Sequence, residues 1–315
     1  VYMLRLVLVK IYAKRKYPAL DFYAEPNEGA LKQKNAALLH QVVGIIVNNT
    51  DTTVLTICLG AKSLLEVSVY GIYMMVVNAV NQLMTSFSNG LTAGFGEVIA
   101  KNEEETLKKS YSSYEYMYFV IMFIVIACMG VLILPFVGVY TINLTDVQYV
   151  RPVLGILFTL IVFMQNVRIP GLTIICAAGH YKETRYQAIL EAVINITVSL
   201  GLVWKFGMAG VLLGTVCSYG YRSFEIVFYT SRHLVKGCAK KSMFRILRNV
   251  FTVAILCTVG TYVIPQEITS FTTWFLYAIG MGLTSVFLVV VINYVVEPDE
   301  FMQLRHRVND IIKKE

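Results

Sequence analysis

Residues 116–140, YMYFVIMFIVIACMGVLILPFVGVY, run for twenty-five positions without one charged side chain. About 20 mostly apolar residues suffice for a helix to cross the hydrocarbon core of a bilayer. A helix this free of polar groups can face lipid without stranding an unsatisfied side chain. Residues 271–296 read the same way, and the two are expected to be packing or perimeter elements.

The whole chain follows that lead. Its 315 residues are 57% hydrophobic and only 15% charged, with a mean hydropathy of +0.63. That balance is foreign to a water-soluble domain of this length and points to an all-α integral membrane protein. Eight membrane helices are expected, at 37–60, 64–90, 116–140, 152–177, 185–205, 208–230, 245–265 and 271–296. The opening VYMLRLVLVKIYA reads as the end of a preceding membrane helix, without a start methionine or signal-peptide layout, so a fragment of a longer protein is expected.

The net charge of +7 is distributed by topology rather than gathered into a nucleic-acid surface. Twenty-one Lys and Arg residues fall on alternate connections and at the C-terminus, whereas Lys62, Arg151 and Lys205 lie on the opposite side. The positive-inside rule then puts the C-terminus in the cytoplasm of a multi-pass protein of the cell membrane. Two connections on the basic side, KNEEETLKKSYSSYEY and TSRHLVKGCAKKSMFR, are long enough for an interfacial helix. None of the connections has room for a catalytic domain. The six cysteines form no CxxC pair, the four histidines are scattered, and no nucleophile triad, phosphate loop or metal pattern is present. The expectation is a protein that is not an enzyme and uses neither metal nor cofactor.

Polar side chains single out the helices expected to work. In IVNNTDTTVL (residues 46–55), Asn48, Asn49 and Asp51 interrupt an apolar run. Residues 64–90 carry Asn78, Gln82, Ser86 and Asn89, and residues 185–205 carry Glu191, Asn195 and Ser199 at four-residue spacing, each a stripe on one helix face. The stripes read as a cavity lining; hydrogen bonding between helices is the alternative. In FMQNVRIPGLT, Gln165, Asn166 and Arg168 precede Pro170 and Gly171, where the lost backbone hydrogen bond is expected to kink or open the helix and to serve as a hinge. Arg168 lies roughly 15 Å from the nearer helix end at 1.5 Å per residue, so it needs a water-filled space or a partner such as Glu191 or Asp51. Arg222 and Glu225, three residues apart, read as an intrahelical pair. Asp51 has two open readings, a bound proton or cation and a hydrogen-bonded brace, and Glu191 shares the first.

Two long stretches carry a family resemblance. NNTDTTVLTICLGAKSLLEVSVYGIY (residues 48–73) and AAGHYKETRYQAILEAVINITVSLGLVWKFGMAGVLLGTVCSY (residues 177–219) resemble the polysaccharide flippases of the multidrug/oligosaccharidyl-lipid/polysaccharide exporter superfamily. The resemblance implies two six-helix lobes around a central cavity, of which this chain holds the second. Residues 1–34 would end a preceding helix and its cytoplasmic loop, 35–232 would form the transport lobe, and 233–315 would add two helices and a tail.

It also implies the cargo, a polyprenyl-pyrophosphate-linked oligosaccharide moved to the outer leaflet, with a polysaccharide polymerase or glycosyltransferases as partners. Arg168 and, less directly, Arg222 would meet the pyrophosphate. Asn48, Asn49, Asn78, Gln82, Gln165, Asn166 and Asn195 would meet sugar hydroxyls. A multidrug exporter, a peptidoglycan-precursor flippase and a membrane polymerase are the competing readings. Arg168, taken as unpaired within the membrane, argues for an anionic cargo over an organic cation.

Overall fold

A computed structural model describes residues 2–17, 33–89, 91–265, 267–302 and 305, and every regular element in them is helical. Most of the expected loop before residue 34, and the tail from 306 with its Arg307, Lys313 and Lys314, lie outside the described residues. Residues 1–35 form one compact unit and residues 36–315 another. In the first, α1 (Tyr2–Lys16) closes on Lys14, Arg15 and Lys16.

The second unit holds α2 (Lys34–Cys58), α3 (Ser63–Ser88), α4 (Leu91–Ala100), α5 (Glu104–Tyr140), α6 (Pro152–Val167), α7 (Ile169–Ala177), α8 (Arg185–Phe206), α9 (Met208–His233), α10 (Ala239–Val263) and α11 (Phe271–Val296). Among the described residues, six helical runs are long and apolar enough to cross a membrane: Ser63–Ala100, α5, Pro152–Ala177, α8, α10 and α11. This is the mark of a multi-pass membrane protein. The count is below the eight expected because α2 and α9 fall short of the required apolarity. Asp51 with its neighbouring Asn and Thr residues, and Arg222 with Glu225, are the cause.

Some boundaries also move. The acidic and basic segment at 104–115 is not a separate interfacial helix but the start of α5, whose 37 residues extend about 55 Å at 1.5 Å per residue. That exceeds the roughly 30 Å hydrocarbon core, so a continuous helix carries its polar end beyond the apolar span. Likewise α10 begins at Ala239, six residues before the expected start at 245.

The α8–α9 hairpin has the closest packing. Gly207 turns one helix into the next at φ +56°, a left-handed conformation that suits glycine. Gly210 and Gly214 then let the backbones approach: a Cβ on Gly214 would stand 2.1 Å from Ser199 Oγ, and one on Gly210 would stand 2.4 Å from the Leu202 carbonyl oxygen. Small residues at four-residue spacing are a general device for tight helix association in membranes. At the other flank, α10 and α11 pack against α5, with Gly130 and Gly260 admitting Cys257 and Val131.

Candidate functional site: a polar cleft at the α2–α6–α8–α9 junction

The helix that carries Arg168 stops at Val167 and restarts at Ile169, so Arg168 sits at the junction of α6 and α7 with Pro170 in the first turn of the new segment. The interruption expected at Pro170 is therefore present two residues earlier, at Arg168. Gly171 has a packing reason of its own, since a Cβ there would fall 2.6 Å from Ile226 Cγ2 on α9.

At this junction four charges gather. Arg168 Nη1 donates to Glu191 Oε1 at 2.5 Å, and Arg222 Nε lies 3.6 Å from Glu191 Oε2. Arg222 Nη1 pairs with Glu225 at 2.5 Å, as its i, i+3 spacing suggested. Two guanidiniums and two carboxylates thus sum to zero. All four side chains are at most 14% exposed. Arg168 also lies over the Tyr219 ring, 4.5 Å from its centroid, a favourable cation–π placement. The reading of Arg168 as unpaired is corrected here: Glu191 is its partner. One atom escapes the pairing, for Arg168 Nε is buried with no hydrogen-bond partner among the described residues.

The cluster opens on a cleft of about 280 Å³, also lined by Asn48, Gln41 and Gln165. A second cleft of about 380 Å³ shares Asn48, Gln165 and Tyr219 with the first and adds Asn78 and Asp51. Arg168, Arg222, Glu191, Asn48, Gln165, Asn78 and Asp51 are therefore brought together. Asn48 is exposed and accepts from the Tyr219 hydroxyl at 3.3 Å. Gln165 accepts from Asn81 Nδ2 at 2.9 Å.

Other expected cargo contacts are differently placed. Asn195 is fully buried, donating to Thr215 Oγ1 at 3.0 Å and Ser218 Oγ at 3.4 Å on α9, and Ser199 donates to the Val211 carbonyl. Below Glu191 the α8 stripe is a helix seam rather than a cavity wall. Asn166 is also buried, held by Tyr118, Asn81 and its own helix. Asn49 donates to the Ile45 carbonyl, and neither it nor Gln82 lines these two clefts. The neighbours that cover Asn195 and Asn166 come from other helices, which the period of a single helix does not reveal.

Asp51 is 4% exposed, with Thr215 Oγ1 donating at 2.7 Å and the Tyr70 hydroxyl at 3.3 Å. Thr50, Thr53 and Thr56 are each satisfied by the carbonyl four residues earlier. This polar stretch therefore braces α2 against α3 and α9 while presenting Asn48 to the cleft. Sequence reading passed over Gln41, Thr215 and Tyr219, and noted Asn81 only as a neighbour of the 64–90 stripe. Their signal was available in the i, i+4, i+7 row Thr215, Tyr219, Arg222 and in Gln41 two turns before Asn48.

It also passed over a second buried charge cluster. Arg245, 1% exposed, donates to Glu115 Oε2 at 3.0 Å and to Glu297 Oε1 at 3.0 Å, while Arg248 pairs with Glu297 at 2.9 Å and also donates to Asn293. These bonds tie α5, α10 and the end of α11 together, so Arg245 and Arg248 are structural residues rather than loop charges. No protein-family model and no curated protein matches the chain.

Proposed function

We propose that this chain is the second lobe of a two-lobe transporter of the multidrug/oligosaccharidyl-lipid/polysaccharide exporter superfamily. In this reading α2 and α9 also span, giving eight membrane helices after α1. Its cargo is a polyprenyl-pyrophosphate-linked oligosaccharide, flipped from the cytoplasmic to the outer leaflet of the cell membrane by alternating access of the lobes. The C-terminus is cytoplasmic, as the basic connections indicate.

The observation that carries the reading is a guanidinium with a buried, unpartnered Nε, in a cleft that also holds a second arginine, Arg222, the carboxylate Glu191 and the neutral amides Gln41, Asn48 and Gln165. A pyrophosphate needs cationic donors and an oligosaccharide needs neutral hydrogen-bonding groups. The polyprenyl tail stays in the bilayer. Because Glu191 already occupies Arg168, an arriving pyrophosphate competes with that carboxylate, which Arg222 can then hold through its other oxygen. Asp51 and Glu191 are the candidates for ion coupling, and the break at Arg168–Pro170 is the candidate hinge.

The second reading is a multidrug exporter of the same superfamily. What favours it is the pair of carboxylates, Glu191 and Glu225, within the same cluster. The two separate in inverted membrane vesicles carrying the full reading frame, with a radiolabelled lipid-pyrophosphate oligosaccharide and a fluorescent organic cation as alternative cargoes. Movement of the lipid-linked sugar that Arg168→Gln abolishes at equal protein level supports the flippase. Transport of the cation alone rejects it.

A further inference from the structure

Far from the cleft in sequence, a second polar cavity of about 330 Å³ lies at the basic end of the bundle, between the start of α5 and the start of α10. Lys108, Lys109 and Lys241 line it, together with Gly237 and Cys238 of the short α9–α10 connection. The carboxylates facing it are largely committed. Glu115 accepts from Arg245, Ser242 and Tyr111, and Glu300 accepts from Lys241 and Ser112, which leaves only Glu105 at the rim. Lys108 and Lys109 are exposed and have no ion-pair or hydrogen-bond partner among the described residues. The first turn of α10 has no acidic residue, and although the Ala239 N–H is taken by Ser231 Oγ, the positive end of the helix dipole still lies at the cavity.

One side of α10 is apolar and outward-facing. From Lys240 and Lys241 the same side of α10 continues through Phe244, Leu247, Phe251 and Ile255, exposed by 54%, 64%, 69% and 48%. With Lys241 committed to Glu300, the cavity's free charges are Lys108 and Lys109 against Glu105, and this cationic surplus on a bundle with an exposed apolar helix face matches a molecule with an anionic head and hydrocarbon chains. Basic pockets between membrane helices are a recurring solution for holding such lipids.

We propose that this cavity is a binding site for the head group of an anionic phospholipid, with Lys108 and Lys109 as its phosphate-contacting residues and the α10 stripe as the bed for its acyl chains. The site is independent of the transport reading, since it shares no residue with the cleft.

Native mass spectrometry of the purified full chain in detergent tests it, with phosphatidylglycerol, phosphatidylcholine and inorganic phosphate as probes. Phosphatidylglycerol should remain bound where phosphatidylcholine is stripped, and Lys108→Gln/Lys109→Gln should weaken its retention about tenfold or more. Both lysines are exposed, so the double variant should fold, and Lys108→Arg/Lys109→Arg should restore binding. Equal retention of the two lipids, or no effect of the double Gln variant, overturns the proposal. Displacement of phosphatidylglycerol by millimolar inorganic phosphate overturns the lipid as occupant and leaves a site for a soluble anion.

Discussion

Arg168 at the α6–α7 junction and Glu191 on α8 meet at 2.5 Å, and the two partners are not equally dependent on the contact. Glu191 keeps a second guanidinium, Arg222 at 3.6 Å, whereas Arg168 has no other carboxylate within pairing distance among the described residues. Removing one partner of a buried pair costs about 3–5 kcal/mol when the survivor is left alone. Glu191→Leu is therefore expected to lower unfolding stability by that order, and Arg168→Met by clearly less. Chemical denaturation of the purified variants in micelles decides it, and equal losses would show that Arg222 does not support Glu191.

The α8–α9 seam predicts opposite outcomes for two glycines on one helix. Gly214→Ala forces a methyl onto Ser199 and is expected to destabilise by about 1–3 kcal/mol or to prevent accumulation of the protein. At Gly220 nothing lies within 4 Å of an added Cβ, so Gly220→Ala is expected to stabilise slightly, by up to about 1 kcal/mol. Thermal melts of the two proteins side by side make the comparison.

Asn195 and Asn48 should separate stability from transport. Asn195→Leu removes the amide donor to the buried Thr215 and Ser218 hydroxyls of α9 and is expected to cost about 1–3 kcal/mol. Asn48→Leu changes an exposed cleft residue and should leave the melting temperature within a degree or two while reducing vesicle transport. A loss of stability at Asn48 as large as that at Asn195 would make both residues structural.

Thr215→Val removes the 2.7 Å donor from Asp51, and Asp51→Asn removes its charge. If Asp51 couples transport to an ion, Asp51→Asn abolishes the response of vesicle transport to a collapsed proton or sodium gradient while basal movement persists. An unchanged gradient response assigns Asp51 to bracing alone.

Acid should act at the α5–α10–α11 tie. Burial pushes the Glu300 carboxyl up, but Lys241, Ser112 and Arg245 outweigh it and hold Glu300 below the usual carboxylate range. A carboxyl lowered on folding adds stability above its unfolded pKa, and that share is lost as pH falls through the folded value. Unfolding midpoints measured from about pH 6 down to about pH 3 should therefore fall less steeply for Glu300→Gln than for the unaltered chain. Parallel curves would contradict the assignment.

Hydrophobic runs made most of the helices readable, because a span has to be long and apolar whatever it packs against. Residues 271–296 and 152–177 are bounded as expected, and FMQNVRIPGLT foretold an interruption through the chemistry of proline. The reading was less good where a second helix decides the outcome. Asn195 and Asn166 look like cavity residues on their own helices, and only Thr215 and Ser218, or Tyr118 and Asn81, reveal what they face. Gly210 and Gly214 carried the missing hint, since their spacing marks the α9 face that lies against α8. Arg245 and Arg248 fall within the expected span 245–265, but their burial is decided by Glu115 and Glu297, distant in sequence.

The single-residue turn at Gly207 also bears on how the protein is made. A helix as polar as α9 is expensive to place in lipid by itself, and α8 carries the charge of Glu191 with no partner on its own helix. Joined so closely, the two can leave the insertion machinery as one hairpin, with Glu191 and Arg222 already within reach of each other and Asn195 already bonded to Thr215. The order of biogenesis is then built into the connection, and a long flexible linker inserted after Phe206 would expose each helix to the lipid alone before it could meet its neighbour.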